Sequence, residues 1–176
     1  MLPYFSEYYG NPSSIYDFAQ KSKEAVTKGR QQIADALNTR KEDIYFTAGG
    51  SEADNWALKA TFEAYKSKGN HIITTKIEHH AILHTCEYLE KERGAKITYL
   101  DVDENGVVRL DELEKAITPE TILISVMFAK QRDREPFSQS KKLDVLPKNM
   151  ASCSIQMQFR HLARYRSMWM NTTLIC

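Results

Sequence analysis

Cysteine is scarce in this 176-residue sequence, and the three that occur, Cys86, Cys153 and Cys176, are widely scattered. That number and spacing exclude a disulfide framework and a zinc site built on cysteine pairs. No long apolar run is present and the mean hydropathy is -0.50, which argues against a membrane-spanning helix. The first residues, Met1–Ser14, contain no basic region followed by an apolar stretch. We therefore expect no secretory signal, and a reducing cytoplasm as the location.

Glycine is unevenly spread, because all seven glycines lie at or before Gly106. The charge is uneven too: residues 1–130 carry 16 basic and 20 acidic side chains, whereas residues 131–176 carry 8 and 3. A folded α/β domain needs glycine at its turns, so a long stretch without any is unusual. We therefore interpret the chain as two unlike pieces, a domain at residues 1–129 and a tail at residues 130–176.

Hydrophobic periodicity predicts alternating helices and strands in the first piece. Apolar side chains recur at helical spacing in four segments: Ile15–Leu37, Glu52–Lys68, Ala81–Arg93 and Leu110–Ile117. Short apolar runs predict four strands: Ile44–Thr47, His71–Thr75, Lys96–Leu100 and Thr121–Met127. This alternation indicates an α/β fold with a mostly parallel sheet that is flanked by helices.

The segment Tyr45–Glu52, YFTAGGSE, combines a predicted strand, two glycines, a hydroxyl and the start of a predicted helix. Glycine lets backbone N–H groups approach an anion closely, and a helix start adds the positive end of its dipole. Ser51 is placed both to cap the helix and to donate to a phosphate oxygen. The alternative is a tight turn in which Ser51 only caps the helix. The segment matches neither a Walker loop nor a GxGxxG motif.

A second candidate, Glu78-His79-His80, follows the predicted strand His71–Thr75 and precedes a predicted helix. Parallel sheets bind ligands at the loops after the carboxyl ends of their strands. A histidine there can stack on a planar cofactor or transfer protons, whereas the alternative is a solvated or capping histidine. No third ligand is evident, so we expect no metal. Cys86 lies inside the next helix, which favours a buried thiol over a nucleophile.

Four longer stretches occur in a recognisable order: GNPSSIY at Gly10–Tyr16, YFTAGGSEADNWAL at Tyr45–Leu58, TTKIEHHAILHTCEYLE at Thr74–Glu90 and ILISVMFA at Ile122–Ala129. Together they resemble the cysteine desulfurases of the NifS/IscS type, which are pyridoxal-phosphate enzymes of the aminotransferase class V superfamily. The resemblance covers nearly all of residues 1–129. The joint match is specific, and it favours the functional interpretation of both candidates over the alternatives.

The resemblance implies that residues 1–129 form part of the large domain of a fold-type I pyridoxal-phosphate enzyme. It implies that Gly50 and Ser51 hold the cofactor phosphate, and that His79 stacks on the pyridine ring and moves protons as a catalytic residue. The family reaction converts L-cysteine to L-alanine and leaves the sulfur as a persulfide on an enzyme cysteine. The sulfur then passes to an acceptor or scaffold protein, for iron–sulfur cluster assembly or other uses. A homodimer is also implied.

The sequence departs from the family at both ends. The family has a segment before this Met1 that usually carries Asn-Ala-Ala-Thr-Thr, so we expect that an N-terminal part is missing. After Ala129 the family has Asn-Asn-Glu-Ile-Gly, where Lys130–Arg134 reads KQRDR. Codons chosen for these five residues read Asn-Asn-Glu-Ile-Gly after a shift of one nucleotide. A second shift near Glu135 lets the codons through Cys176 continue the family pattern, including an HTDAVQ motif.

We therefore interpret residues 130–176 as an out-of-frame, poorly ordered tail that comes from a frameshifted gene or a sequencing error. The tail as written lacks the aspartate of HTDAVQ, which in the family faces the pyridine nitrogen. The family's Schiff-base lysine and sulfur-accepting cysteine come later still. We expect this chain to be an inactive fragment of a cysteine desulfurase.

Other interpretations stay open at this point. A non-catalytic interaction protein would keep part of the fold for dimer or scaffold contacts. The basic tail would bind nucleic acid if Arg160, Arg164 and Arg166 shared one side of a helix, although a wrong reading frame produces the same charge excess. A parent enzyme such as a selenocysteine lyase is compatible as well. We expect neither a nucleic-acid nor a membrane partner.

Overall fold

The structure is a computed structural model that describes residues 2–127 and the backbone of residues 153–157. The described residues form two compact units, residues 2–46 and residues 47–127 with the strand at 153–157. Within this described part, no helix combines the length and apolarity needed to cross a membrane. The predicted helix around Arg160, Arg164 and Arg166 lies outside the described residues, as does most of the predicted tail.

The first unit is helical. It contains a short helix α1 (Pro3–Ser6), the long helix α2 (Asp17–Leu37) and a 3-10 turn at Lys41–Asp43. Helix α2 confirms the helix predicted at Ile15–Leu37, with its first turn two residues later. It ends where Asn38 adopts the left-handed conformation at φ 52°, which asparagine tolerates better than most residues.

The strand predicted at Ile44–Thr47 does not form, so this prediction is wrong. The backbone is extended at Ile44, but the segment joins no sheet of the described residues. The Ile44 carbonyl instead accepts a hydrogen bond from the Arg30 guanidinium, which also lies 4.9 Å from the centroid of the Phe46 ring. Apolar and aromatic residues favour extended backbone, but a strand also needs a neighbouring strand for its hydrogen bonds.

The second unit is an α/β layer structure. Its elements in chain order are α3 (Gly50–Tyr65), β1 (His71–Thr75), α4 (His80–Arg93), β2 (Lys96–Leu100), α5 (Leu110–Ala116), β3 (Thr121–Met127) and β4 (Cys153–Met157). The strands lie in the order β2-β1-β3-β4, and every neighbouring pair is parallel. The predicted α/β class with a mostly parallel sheet is confirmed, and β1, β2 and β3 have the predicted bounds.

Strand β4 lies inside the segment that we interpreted as an out-of-frame tail. Its backbone pairs with β3 in a register that sets Cys153 opposite Leu123. Five residues of extended backbone do not test the origin of the segment, because an apolar edge pairs with any available strand. The boundary at residue 129 and the poor order of the tail stay predictions.

Two cores lie on opposite faces of the sheet. On one face, α3 and α4 pack on the strands through the buried side chains of Leu58, Phe62, Ile72, Ile82, Cys86, Leu89 and Leu123. On the other face, α5 packs through those of Ile73, Leu100, Val108, Leu113, Ile124 and Val126. Ile72 and Ile73 enter different cores because successive strand residues point to opposite faces.

The parallel arrangement places the carboxyl ends of β1, β2 and β3 along one edge of the sheet. The loop after β1 runs from Lys76 to His79 and leads into α4. The helix ends at Gly94, whose φ of 74° is the left-handed conformation that glycine adopts without a side-chain clash. The sheet edge and the starts of α3 and α4 are where the predicted site residues lie.

Candidate functional site

Helix α3 begins at Gly50, and Ser51 is its second residue. The N-cap position is occupied by Gly49, which has no side chain to accept from the N–H groups of the first turn. Glu52 instead turns back, and its Oε2 accepts from the Ala48 backbone N–H at 2.6 Å. The alternative in which Ser51 serves as the helix cap is therefore not what the structure has. The exposed Ser51 hydroxyl lies beside the open, positive end of the helix.

His79 is the N-cap residue of α4. Its Nδ1 accepts from the Ala81 backbone N–H at 3.1 Å, so this imidazole does cap the helix, as the alternative interpretation had it. An accepting Nδ1 places the hydrogen of the neutral ring on Nε2. The capping bond also holds the exposed ring at the helix start.

Ser51 and His79 line the same open cavity, which has a volume of about 450 Å³. It lies between α3 and α4. Its wall on the α3 side is formed by Ser51, Asn55 and Lys59, and its wall on the α4 side by His79, His80, Ala81, His84, Thr85 and Tyr88. Gly50 directly precedes Ser51 but is not among the lining residues. The structure therefore brings together two of the three predicted site residues, with the third next to them in the chain.

The cavity lining favours an anionic, planar ligand. The described residues around it include no carboxylate, and they contribute one lysine and three histidines. The Lys59 Nζ lies 4.7 Å from the Tyr88 ring centroid, and the rings of His80 and His84 stack at 5.5 Å with an interplanar angle of 19°. Volumes of this order are typical of small-molecule sites.

Sequence reasoning did not single out Asn55, Lys59, His84 or Tyr88. The signal that points to them is helical spacing: Ser51, Asn55 and Lys59 are four residues apart and share a face of α3. His80, His84 and Tyr88 follow the same rule on α4. Helical spacing indicates a shared site only when these faces of α3 and α4 are known to oppose each other.

Glu78, which precedes His79, is buried with 6 % of its surface exposed. Its Oε1 accepts from the Thr75 hydroxyl at 3.1 Å and from the Met127 backbone N–H at 2.6 Å. Burial raises the pKa of this carboxyl to about 7. Asp54 on α3 is buried as well, and burial raises its pKa to about 6. Neither carboxyl is among the residues that line the cavity.

Cys86 faces the core under α3 and α4 and is fully buried. Burial raises the pKa of its thiol to about 12, so the thiol stays protonated and unreactive near neutral pH. The expected buried thiol is confirmed. Within residues 2–127, no three histidine, cysteine or acidic side chains are grouped so as to hold a metal ion, and the expectation of no metal stays a prediction.

Comparisons with known proteins agree on one family. The sequence pattern of "Aminotransferase class-V" matches residues 1–132. A protein of Clostridium botulinum (strain Kyoto / Type A2) named "Cysteine desulfurase IscS" is 63% identical over 129 residues, which are 73% of this chain and 32% of that protein. The chain thus spans about a third of the length of the curated relatives it matches.

Solved structures give the same picture. A NifS-like protein superposes with a TM-score of 0.82 and 32% identity, over 90% of this chain and 44% of that one. SspA in complex with cysteine superposes with a TM-score of 0.67 and 35% identity, over 73% of this chain and 37% of that one. With a family pattern that matches most of its length, this chain belongs to the class-V aminotransferase family.

Proposed function

We propose that this chain supplies part of the cofactor-binding region of a cysteine desulfurase, an enzyme that converts L-cysteine to L-alanine and passes the sulfur on as a persulfide. The observation that carries the proposal is the cavity shared by Ser51, at the start of α3, and His79, at the start of α4. Support also comes from relatives named cysteine desulfurase and from the similar SspA, which was solved with cysteine.

The class-V family uses pyridoxal phosphate, and the residues present fit that group. A Cβ built at Gly49 would meet no heavy atom within 4 Å, so space is open in front of the helix start. The donors there are first-turn N–H groups and the Ser51 hydroxyl, which suit a phosphate dianion. When bound, the cofactor supplies an electron sink for the substrate amino acid.

Each predicted site residue has a separate role in this proposal. Gly50 lets the backbone of the first turn come close to the phosphate, and Ser51 donates from its hydroxyl and its N–H. His79 covers the planar ring, and its Nε2 is the atom that holds or moves a proton, since Nδ1 is used by the Ala81 N–H.

The chain by itself is inactive in this proposal. The family's Schiff-base lysine and sulfur-accepting cysteine belong to segments for which residues 130–176 offer no match. Purified chain incubated with pyridoxal phosphate and L-cysteine should release no alanine above a blank without protein. Alanine release that depends on the protein would contradict inactivity while leaving the cofactor site in place.

The binding experiment uses pyridoxal phosphate itself, measured by equilibrium dialysis against the full 176-residue chain. Ser51→Ala removes one hydrogen bond to a charged group, and we expect binding to weaken roughly tenfold. Ser67→Ala is the matched control, because Ser67 is an exposed serine beyond the end of α3. Equal affinities for wild type and Ser51→Ala would count against the phosphate site.

The homodimer, the sulfur acceptor or scaffold, and the cytoplasmic location belong to the same proposal. Large apolar side chains are exposed in the first unit, among them Leu2, Phe5, Tyr9 and Ile15, and we propose that some of them contact a partner. This observation also favours the second candidate, a non-catalytic interaction protein. A folded, monodisperse chain that binds a partner but no pyridoxal phosphate would support that candidate.

A further inference from the structure

The carboxylate of Glu52 folds back over the start of α3. Its Oε2 accepts from the Ala48 N–H at 2.6 Å, a short distance of the kind that a charged acceptor produces. From the other side of the turn, the Thr47 hydroxyl donates to the Gly49 carbonyl at 3.1 Å. The same carbonyl accepts from the Ala53 N–H at 3.1 Å, which is the first bond of the helix. These three bonds close the turn that leads into α3.

The arrangement is half of a capping box. In the complete motif, the N-cap side chain accepts from the first turn, while the third helical residue reaches back to the start of the helix. Glu52 is that third residue, and it supplies the second half by accepting from the residue before the N-cap. The N-cap itself is Gly49, which has no side chain for the first half. Among the described residues, no N-cap side chain therefore accepts from the N–H groups of Gly50, Ser51 and Glu52.

Two glycines make this turn costly to order. Glycine loses more conformational freedom on folding than any other residue, and Gly49 and Gly50 are adjacent here. A ligand that had to order the turn on binding would lose affinity, whereas an ordered turn spares the ligand that cost. The bond between Glu52 and Ala48 holds the turn before any ligand arrives. The Asn55 side chain adds to this order, because its Nδ2 donates to the Ser51 carbonyl at 2.9 Å.

The charge of Glu52 and its hydrogen bond act on an anion in opposite directions. A carboxylate in the first turn interacts with the positive end of the helix dipole and repels a phosphate at the same place. Because Oε2 is bonded to the Ala48 N–H, which precedes the helix, the N–H groups of the first turn are left for a ligand. The two effects have different signs, so substitutions can separate them.

We propose that Glu52 is a positioning residue for the cofactor phosphate: its bond to the Ala48 N–H fixes the turn at residues 48–50, so that the first-turn N–H groups and the Ser51 hydroxyl face the ligand. The phosphate then supplies the cap that Gly49 lacks. This role rests on the proposed function, because it needs an anion in the cavity that Ser51 shares with His79. Glu52 acts through the turn and does not contact the ligand.

The first test is equilibrium dialysis of the full chain against pyridoxal phosphate and, separately, inorganic phosphate. Glu52→Ala removes the acceptor and the charge, whereas Glu52→Gln removes the charge alone. We expect Glu52→Ala to bind both ligands about fivefold more weakly than wild type, although the repulsion is gone. Glu52→Gln should bind within about twofold of wild type or more tightly. Glu92→Ala and Glu92→Gln make the same changes at an exposed carboxylate near the end of α4 and should bind as wild type.

The order of these affinities decides the proposal. If Glu52→Ala binds as tightly as wild type or more tightly, the carboxylate acts on the ligand only by repulsion, and the proposal is overturned. Weak binding by Glu52→Gln overturns it as well, because a restored acceptor must restore the turn. If Glu52→Ala does not fold, Glu52→Asp takes its place, since its shorter side chain keeps the charge but does not span the distance to the Ala48 N–H.

The second test reads the turn itself, by NMR measurement of hydrogen exchange at the Ala48 amide without ligand. This amide should exchange about tenfold more slowly in wild type and in Glu52→Gln than in Glu52→Ala. A role in helix stability alone would lower the urea midpoint of Glu52→Ala but leave the ligand affinity of the folded chain unchanged. That result overturns the positioning role.

The wild-type chain separates this inference from the proposed function. If wild type binds pyridoxal phosphate and Glu52→Ala binds it equally well, the positioning role fails and the proposed function stands. If wild type binds neither pyridoxal phosphate nor inorganic phosphate, the proposed function fails and the positioning role fails with it. Slow exchange at the Ala48 amide would then identify Glu52 as a helix cap only.

Discussion

The buried carboxyls of Asp54 and Glu78 make the stability of the fold depend on pH. Burial raises the pKa of Glu78 from 4.5 to about 7 and that of Asp54 from 3.8 to about 6. Between about pH 5 and pH 7 the folded chain holds protons that the unfolded chain has already released. The free energy of unfolding therefore decreases as the pH rises through this window.

Glu78→Gln should remove the part of this dependence that comes from Glu78, which extends to the higher pH of the two. The raised pKa corresponds to roughly 3 kcal/mol of unfolding free energy that wild type loses between about pH 5 and pH 8. The glutamine variant has no proton to lose at this position, so its urea midpoint should change much less over the same range. Glu92→Gln should keep the wild-type dependence of the urea midpoint on pH. If Glu78→Gln also kept that dependence, the raised pKa would be wrongly assigned to Glu78.

His79 combines a structural and a chemical role that two substitutions can separate. His79→Ala removes the cap of α4 and should cost about 1 kcal/mol of unfolding free energy. His79→Asn restores a capping oxygen but not the ring, so it should recover most of that stability. Both variants should bind pyridoxal phosphate more weakly than wild type in equilibrium dialysis. Full binding by His79→Asn would mean that the ring does not contact the cofactor.

The helices end and begin where local chemistry predicts. Gly94, with φ at 74°, closes α4 in a conformation that disfavours other residues. Gly29 stands inside α2, and a Cβ there would meet no heavy atom within 4 Å. Substitution by alanine should therefore change the free energy of unfolding in opposite directions at Gly94 and Gly29.

Gly94→Ala should destabilise the chain by about 1 kcal/mol, because alanine is strained in the left-handed conformation. Gly29→Ala should stabilise α2 by roughly 0.5–1 kcal/mol, since alanine loses less entropy in a helix. Urea denaturation followed by far-UV circular dichroism measures both. Shifts of the midpoint in the same direction would show that the backbone conformation at Gly94 is not the one described.

The whole chain combines one family's fold with a segment of different composition. The family match ends near residue 132, and the charge and glycine content change close to the same point. We therefore keep the proposal that residues 130–176 are read out of frame.

The nucleotide sequence across the codons for Phe128–Pro136 tests the tail. We expect an alternate frame there that encodes Asn-Asn-Glu-Ile-Gly, followed by a second shift after which the reading continues through HTDAVQ. An uninterrupted run of codons that matches residues 130–176 as printed, with no family-like sequence in either other frame, would contradict the proposal. The tail would then be a segment of the protein in its own right.

Local sequence patterns were sufficient to predict most of the helices and strands of the second unit. Three strands have the predicted bounds because each is a short, largely apolar run whose ends are marked by polar residues or turns; β1 and β3 are buried along almost their whole length, whereas β2 is only partly buried. The pattern at Ile44–Thr47 was equally apolar, yet this segment pairs with no described strand, and its Ile44 carbonyl accepts from Arg30 instead. Whether an extended segment becomes a strand depends on a neighbour that its own residues do not encode.

The residue order alone established the element types, the α/β class and the family, since periodicity, turn chemistry and motif spacing are properties of contiguous residues. It also named Gly50, Ser51 and His79 as candidates. Folding was needed to bring Ser51 and His79 to one cavity and to bury the Glu78 and Asp54 carboxyls. Burial and long-range proximity arise from how the helices pack on the sheet, and burial sets the raised pKa values of Glu78 and Asp54.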